Sequence, residues 1–204
     1  MGRPLVAIID YGMGNLLSVK NALEKQGAKV EFVSKPAGLE KSAFDAVVLP
    51  GVGAFPNGMR NLKPFIPALE KKVFQDRLPF LGICLGMQML FAQGTEFGRT
   101  PGLGWLKGTV SKLPASGLTL PHMGWNTLQI RPNPLLRGVK NGDYAYFVHS
   151  YYAKPGRETV ATTNYGTAIS AAVAKDNVFG TQFHPEKSGE TGLRIIRNFL
   201  ELSR

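Results

Sequence analysis

One cysteine and three histidines stand among the 204 residues, and the cysteine sits where a nucleophile would have to sit. Residues 80–88 read Phe-Leu-Gly-Ile-Cys-Leu-Gly-Met-Gln, an apolar strand running into Gly-x-Cys-x-Gly and then into a helix expected to continue through Leu90. This is the cysteine form of a nucleophile elbow: the backbone doubles back at Cys84, and Gly82 and Gly86 leave room for it. A sulfur lifted out of a sheet at a helix N-terminus faces free N–H groups and aligned peptide dipoles, which favour thiolate over thiol. A lone cysteine in an apolar strand can equally be an inert core residue; the two flanking glycines tip the reading toward reaction.

A thiol nucleophile needs a base, and the choices are His122, His149 and His184. His184 is the strongest, since it ends an apolar run in Gly-Thr-Gln-Phe-His-Pro-Glu, where Pro185 enforces an extended or turning backbone. Residues two apart in an extended segment project to the same side, so Glu186 can hold the imidazole's tautomer and orientation. Taken singly, Glu186 also fits a surface charge and His184 a capping residue. Acyl chemistry further needs N–H donors for the oxyanion. The N–H of Leu85 occupies the usual elbow position, and the turn Pro50-Gly51-Val52-Gly53-Ala54-Phe55 follows a strand whose end should open onto the same crevice. An ordinary strand-end turn is the plainer reading of that segment. The loop Gly12-Met13-Gly14-Asn15 has half of a dinucleotide fingerprint, but position 17 is leucine, so no nucleotide cofactor is expected. One cysteine and three dispersed histidines form no ligand spacing, so no metal is expected either.

The surrounding elements have to deliver these residues. Leu5 to Asp10, Lys29 to Val33, Ala46 to Leu49 and Phe80 to Ile83 read as strands, Asn15 to Gln26 and Ile66 to Gln75 as helices between them. Strands that are apolar throughout, alternating with helices, call for a largely parallel sheet covered on both faces. Gly104 to Leu113, Thr127 to Ile130, Tyr144 to Ala153, Glu158 to Asn164, Ala168 to Lys175 and Val178 to Phe183 are strand-like and separated by Gly, Pro and Asn, and Gly192 to Leu202 closes the chain as a helix. The expected fold is an α/β three-layer sandwich: a mixed, mostly parallel central sheet flanked by helices, with antiparallel strands in the second half. No linker or repeat divides it, so residues 1–204 are expected to form a single domain.

Composition narrows the function classes. With 24 Lys+Arg against 14 Asp+Glu the formal charge is +10, but the cations are scattered, and no nucleic-acid signature accompanies them. That excess suits a solvated surface, anionic ligands or an acidic partner. A single cysteine fits a reducing, cytoplasmic setting, and the apolar run from Leu5 to Ile9 is too short for a secretory signal or a membrane span.

Gly82-Ile83-Cys84-Leu85-Gly86-Met87-Gln88 with Phe183-His184-Pro185-Glu186-Lys187-Ser188 resembles the class I, or triad, glutamine amidotransferases, a flavodoxin-like family, over the whole chain. Within that family, residues 10–15 (Asp-Tyr-Gly-Met-Gly-Asn), 50–55, 121–126 (Pro-His-Met-Gly-Trp-Asn) and 147–151 are similar to the branch that serves as glutaminase subunits of imidazole glycerol phosphate synthase. The resemblance implies that Cys84 attacks the carboxamide of glutamine, His184 protonates the departing ammonia and then activates water, and Glu186 orients His184. It implies oxyanion N–H groups from Val52 and Leu85, and a substrate site formed by Gly53, Gln88, Glu96 and the strand His149-Ser150-Tyr151. Ammonia would pass to a (β/α)8-barrel cyclase subunit in a heterodimer of histidine biosynthesis, faced by Asn15, Met123, Trp125 and Lys187. It also implies a weak glutaminase in isolation, with the Val52 peptide turned away until the loaded partner shifts it about Gly51 and Gly53. Other readings stay open: Trp125 as a core aromatic, His149 as an internally satisfied histidine, and the chain as a free-standing thiol hydrolase of γ-glutamyl hydrolase type or a non-catalytic subunit that organises a complex.

Overall fold

In the computed structural model, which describes residues 2–41, 43–114 and 117–203, the first half alternates as its apolar runs require. β1 (Leu5–Ile9) leads to α1 (Leu16–Lys25), β2 (Lys29–Val33) to α2 (Pro36–Lys41), β3 (Ala46–Gly51) to α3 (Phe55–Leu62) and α4 (Ile66–Glu70), and β4 (Phe80–Cys84) to α5 (Leu85–Gln88). β3 and β4 are buried along their whole lengths, which explains why neither alternates in polarity. The second half supplies β5 (Phe91–Gly94), β6 (Thr100–Pro101), β7 (Leu106–Lys112), β8 (His122–Thr127), β9 (Gln129–Ile130), β10 (Tyr144–His149), β11 (Tyr151–Ala153), β12 (Thr159–Asn164), β13 (Ala168–Lys175), β14 (Val178–Thr181) and the closing helix α6 (Gly189–Glu201).

Eight strands form the main sheet in the order β2-β1-β3-β4-β14-β13-β12-β9. Pairing is parallel from β2 to β14 and antiparallel from β14 to β9, which is the mixed sheet with an antiparallel second half that the sequence implied. One face is covered by a core containing Leu49, Phe55, Leu69 and Phe80, the other by Val48, Ile83, Phe183 and Phe199. Burying large apolar side chains on both faces is the main drive for this arrangement, about 1.5–3 kcal/mol for each. The pairs Gly51↔Cys84 and Thr181↔Ile83 bring the C-terminal ends of β3, β4 and β14 to one edge, where ligands of open α/β sheets gather. Two smaller sheets, β8–β10 and β11-β7-β5-β6, stand beside it. Among the described residues no helix is long and apolar enough to cross a membrane.

The structure corrects several element boundaries. The helix expected over Ile66–Gln75 is the last part of a longer run: α3, a 3-10 turn at Lys63–Phe65, α4 and a π-turn at Lys71–Gln75. Pro56, Pro64 and Pro67 each occupy the first turn of one segment, a position where the missing N–H does no harm. The sequence reading begins this helix only at Ile66. The helix after Cys84 ends at Gln88 rather than Leu90, and β5 follows. The single strand expected over Tyr144–Ala153 breaks at Ser150: β10 pairs with β8 and β11 with β7, in different sheets.

Candidate active site

Cys84 joins β4 to α5 with φ 55° and ψ −108°, a left-handed conformation that carries about 1–3 kcal/mol of strain for a residue with a Cβ. A Cβ on Gly82 would stand 2.7 Å from the Gly86 carbonyl oxygen, and one on Gly86 would collide with the Leu49 carbonyl oxygen. The glycine spacing read from the sequence is therefore a spatial requirement of the elbow.

His184 follows β14 and reaches the same edge. Its Nδ1 donates to Glu186 Oε1 at 2.8 Å, and both side chains are buried, 3% and 1% exposed. The turn that carries them is clamped to β10: His184 N donates to the Tyr146 carbonyl at 2.9 Å, Tyr146 N to Ser188 Oγ at 2.9 Å, and Ser188 Oγ to the His184 carbonyl at 2.6 Å. His184 Nε2 is buried and has no hydrogen-bond partner among the described residues, so it is free to exchange a proton with Cys84 beside it. Burial opposes the charged imidazole, but the adjacent Cys84 and then Glu186 outweigh it, raising His184 from 6.5 to about 10. A protonated imidazole next to a sulfur nucleophile is suited to acyl transfer with proton delivery to the leaving group.

A cavity of about 470 Å³ opens over the sulfur, the size range of a small-molecule site. Cys84, Leu85, Val52, Gly53, Gln88, Glu96, His149, Ser150, Tyr151 and His184 all line it, so the structure gathers every residue expected at the catalytic, oxyanion and substrate positions except Glu186, which stands behind His184. Their free atoms differ. Glu96 Oε2 accepts the N–H of Phe55 at 2.8 Å, where α3 lacks a side-chain cap, so one carboxylate oxygen is already engaged. His149 donates from Nδ1 to the Tyr151 carbonyl at 2.9 Å and accepts at Nε2 from His122 Nδ1 at 3.1 Å, while His122 Nε2 accepts from Asn126 at 3.2 Å. The His149 ring is thus internally satisfied, which leaves its backbone as the part of this residue available to the cavity. Burial pushes His122 down to about 4 and His149 to about 3, which keeps this chain neutral.

Sequence reasoning missed four contributors. Gln182, fully buried, donates to Cys84 Sγ at 3.7 Å and accepts from Gln88 Nε2 at 3.0 Å. Gln88 Nε2 also donates to the Tyr151 carbonyl at 2.9 Å. His122 and Asn126 complete the histidine chain, and Lys112 adds a cation to the cavity wall. Gln182 stands two residues before His184, and His122 and Asn126 fall in the segment 121–126 already singled out, whereas Lys112 carried no signal.

Of the residues expected to face a partner, Met123 and Trp125 are 61% and 55% exposed on β8, so Trp125 is a surface aromatic and not a core one. Its ring meets Tyr146 edge-on, centroids 6.0 Å apart, and Lys187 Nζ lies 5.9 Å from the same Tyr146 ring. Asn15 caps α1 by accepting from Ser18 N at 3.4 Å, and α1 packs against the turn that carries Lys187.

The family model for glutamine amidotransferase class-I matches residues 7–202. The imidazole glycerol phosphate synthase subunit HisH of Caldanaerobacter subterraneus subsp. tengcongensis is 50% identical over 97% of this chain and 98% of its own length. The protein of the same name from Methanothermobacter thermautotrophicus is 48% identical over 98% and 100%. Among solved structures, a glutamine amidotransferase superposes with a TM-score of 0.75 at 22% identity, covering 97% of this chain and 98% of that one. PurLQS from Thermotoga maritima superposes at 0.76 with 20% identity, covering 99% and 100%. At such identities these two report the fold.

Proposed function

The chain belongs to the class I glutamine amidotransferase family, and from that premise we propose that it works as the glutaminase subunit of an imidazole glycerol phosphate synthase, a single amidotransferase domain supplying ammonia to a (β/α)8-barrel cyclase subunit. The observation that carries the chemistry is the strained Cys84 elbow beside a His184 held by Glu186. The Cys84 sulfur attacks the glutamine carboxamide carbon, and the N–H groups of Leu85 and Val52 receive the oxyanion. The tetrahedral intermediate collapses as His184 gives its proton to the departing ammonia, leaving a γ-glutamyl thioester. His184 then takes a proton from water, whose oxygen attacks the thioester, and glutamate leaves with Cys84 restored. Gly53, Gln88, Glu96 and the strand His149-Ser150-Tyr151, His149 through its backbone, hold the amino-acid end of glutamine, with Lys112 supplying a cation for its carboxylate.

The relatives named HisH support a cyclase partner, and the exposed Met123, Trp125 and Lys187, with Asn15 nearby, are the surface proposed for it. The unpaired Cys84 supports a reducing, cytoplasmic setting. The test is glutamate release by the chain alone, with a cyclase subunit, and with that subunit loaded with its nucleotide substrate. Strong activation by the loaded partner is expected. Full activity of the chain alone would replace this reading by a free-standing thiol hydrolase. In the complex, Cys84→Ala should abolish glutamine-dependent synthesis and spare ammonia-dependent synthesis; loss of both would favour a purely organising subunit.

A further inference from the structure

Tyr11 follows β1 and is 6% exposed, yet its hydroxyl is buried without a hydrogen-bond partner among the described residues. A buried polar group left unpaired is destabilising, because it has given up water without gaining a partner. The backbone at this position is tied down, since the Tyr11 carbonyl accepts from Asn61 Nδ2 of α3 at 3.2 Å, and the side chain is buried in the core that also holds Leu85. The hydroxyl lies at an informative point: a Cβ built on Gly51 would stand 2.5 Å from it, 2.9 Å from Leu85 Cβ and 3.0 Å from Gly86 N. It therefore borders the turn that carries the Val52 N–H, at the place where the Leu85-Gly86 segment also closes on Gly51. Tyr11 is not among the cavity-lining residues, so the hydroxyl approaches Gly51 from the protein side. Burial, and then the charge of Cys84, raises Tyr11 above its ordinary titration range and keeps the hydroxyl a donor.

Peptide geometry supplies the connection. A trans peptide carries its C=O and N–H on opposite sides, so turning the Val52 N–H into the cavity swings the Gly51 carbonyl away from it, toward the protein side. Gly53, at φ 98°, gives the turn a glycine-only pivot on its far side. We propose that Tyr11 is a positioning residue that latches the oxyanion turn: its hydroxyl donates to the Gly51 carbonyl when the Val52 N–H faces the cavity, and lacks a partner otherwise. The proposal rests on the function given above and assigns the latch to a residue outside the triad.

The test is Tyr11→Phe in complex with the cyclase subunit. Removing an unpartnered hydroxyl should leave the melting temperature unchanged or higher. The kcat for glutamate release with the loaded partner should fall about tenfold, with KM for glutamine within about twofold, as expected when an interaction made only in the transition state is lost. An unchanged kcat, or a lower melting temperature, would overturn the latch while leaving the glutaminase function intact. If the unmutated complex releases no glutamate, the functional reading fails on its own, and the latch is decided on the chain labelled with 13C at tyrosine Cζ. The aldehyde analogue of glutamine forms a tetrahedral adduct on Cys84 without turnover; the Tyr11 Cζ resonance should shift, and an unmoved resonance overturns the latch.

Discussion

Gln182 donates a side-chain N–H to the Cys84 sulfur at 3.7 Å while its Oε1 is held by Gln88 at 3.0 Å. The proposed nucleophile is thus tied, through one fully buried amide, to a residue that lines the cavity over the sulfur. Gln182→Glu keeps the shape and removes the donor, so glutaminase kcat in the complex should fall about 10–100-fold, with alkylation of Cys84 by iodoacetamide slowed at neutral pH. A folded variant that matches the parent in both assays would show that the amide only fills space.

Glu186→Gln removes the charge that orients His184 while preserving size. A loss of about 10²–10⁴ in kcat is expected, with circular dichroism unchanged. Retention of even a tenth of the parent rate would argue against the orienting role.

Three histidines set opposite limbs of the stability profile. His122 and His149, at about 4 and about 3, stay neutral in the folded chain where the unfolded chain, near 6.5, binds protons. Unfolding free energy therefore rises with pH up to about 6.5 through these two. His184, at about 10, holds a proton that the unfolded chain has released; its stabilisation is complete below about 6.5 and is lost as pH rises toward 10. Melting temperature should peak near neutrality, and His184→Gln should flatten the alkaline limb. Scanning calorimetry from pH 4 to about 10 checks this, and an alkaline limb that persists in the variant would refute it.

Trp125, half exposed on β8, contributes little to the isolated fold. Trp125→Ala should move stability by no more than about 0.5 kcal/mol but weaken association with the cyclase by about 2 kcal/mol, roughly 30-fold in Kd. Calorimetric titration of the two subunits is the measurement, and an unchanged Kd would remove Trp125 from the interface.

The elbow and the His184–Glu186 pair were legible in the sequence because each is local: two glycines around Cys84, and residues two apart on an extended segment. The central sheet was legible because buried parallel strands leave uninterrupted apolar runs. Tyr11, Gln182 and the His122–His149 chain were not, since their roles arise from contacts across the chain; Gln182 lies 98 residues from Cys84 and His149 lies 27 from His122. The break at Ser150 was hidden because both flanking strands are aromatic-rich and only their partners differ. The run of helical segments from Phe55 was hidden by prolines that each restart a helix.

The order of synthesis gives the sheet a further consequence. β14 lies between β4 and β13, yet it leaves the ribosome after the other seven strands of this sheet, and it leads directly into His184. Until Val178–Thr181 emerges, the nascent chain carries its nucleophile on a strand with one edge open, and open edges invite pairing with other chains. The insertion that closes that edge also delivers the base, so the chain becomes protected from misassembly and chemically competent in a single late event.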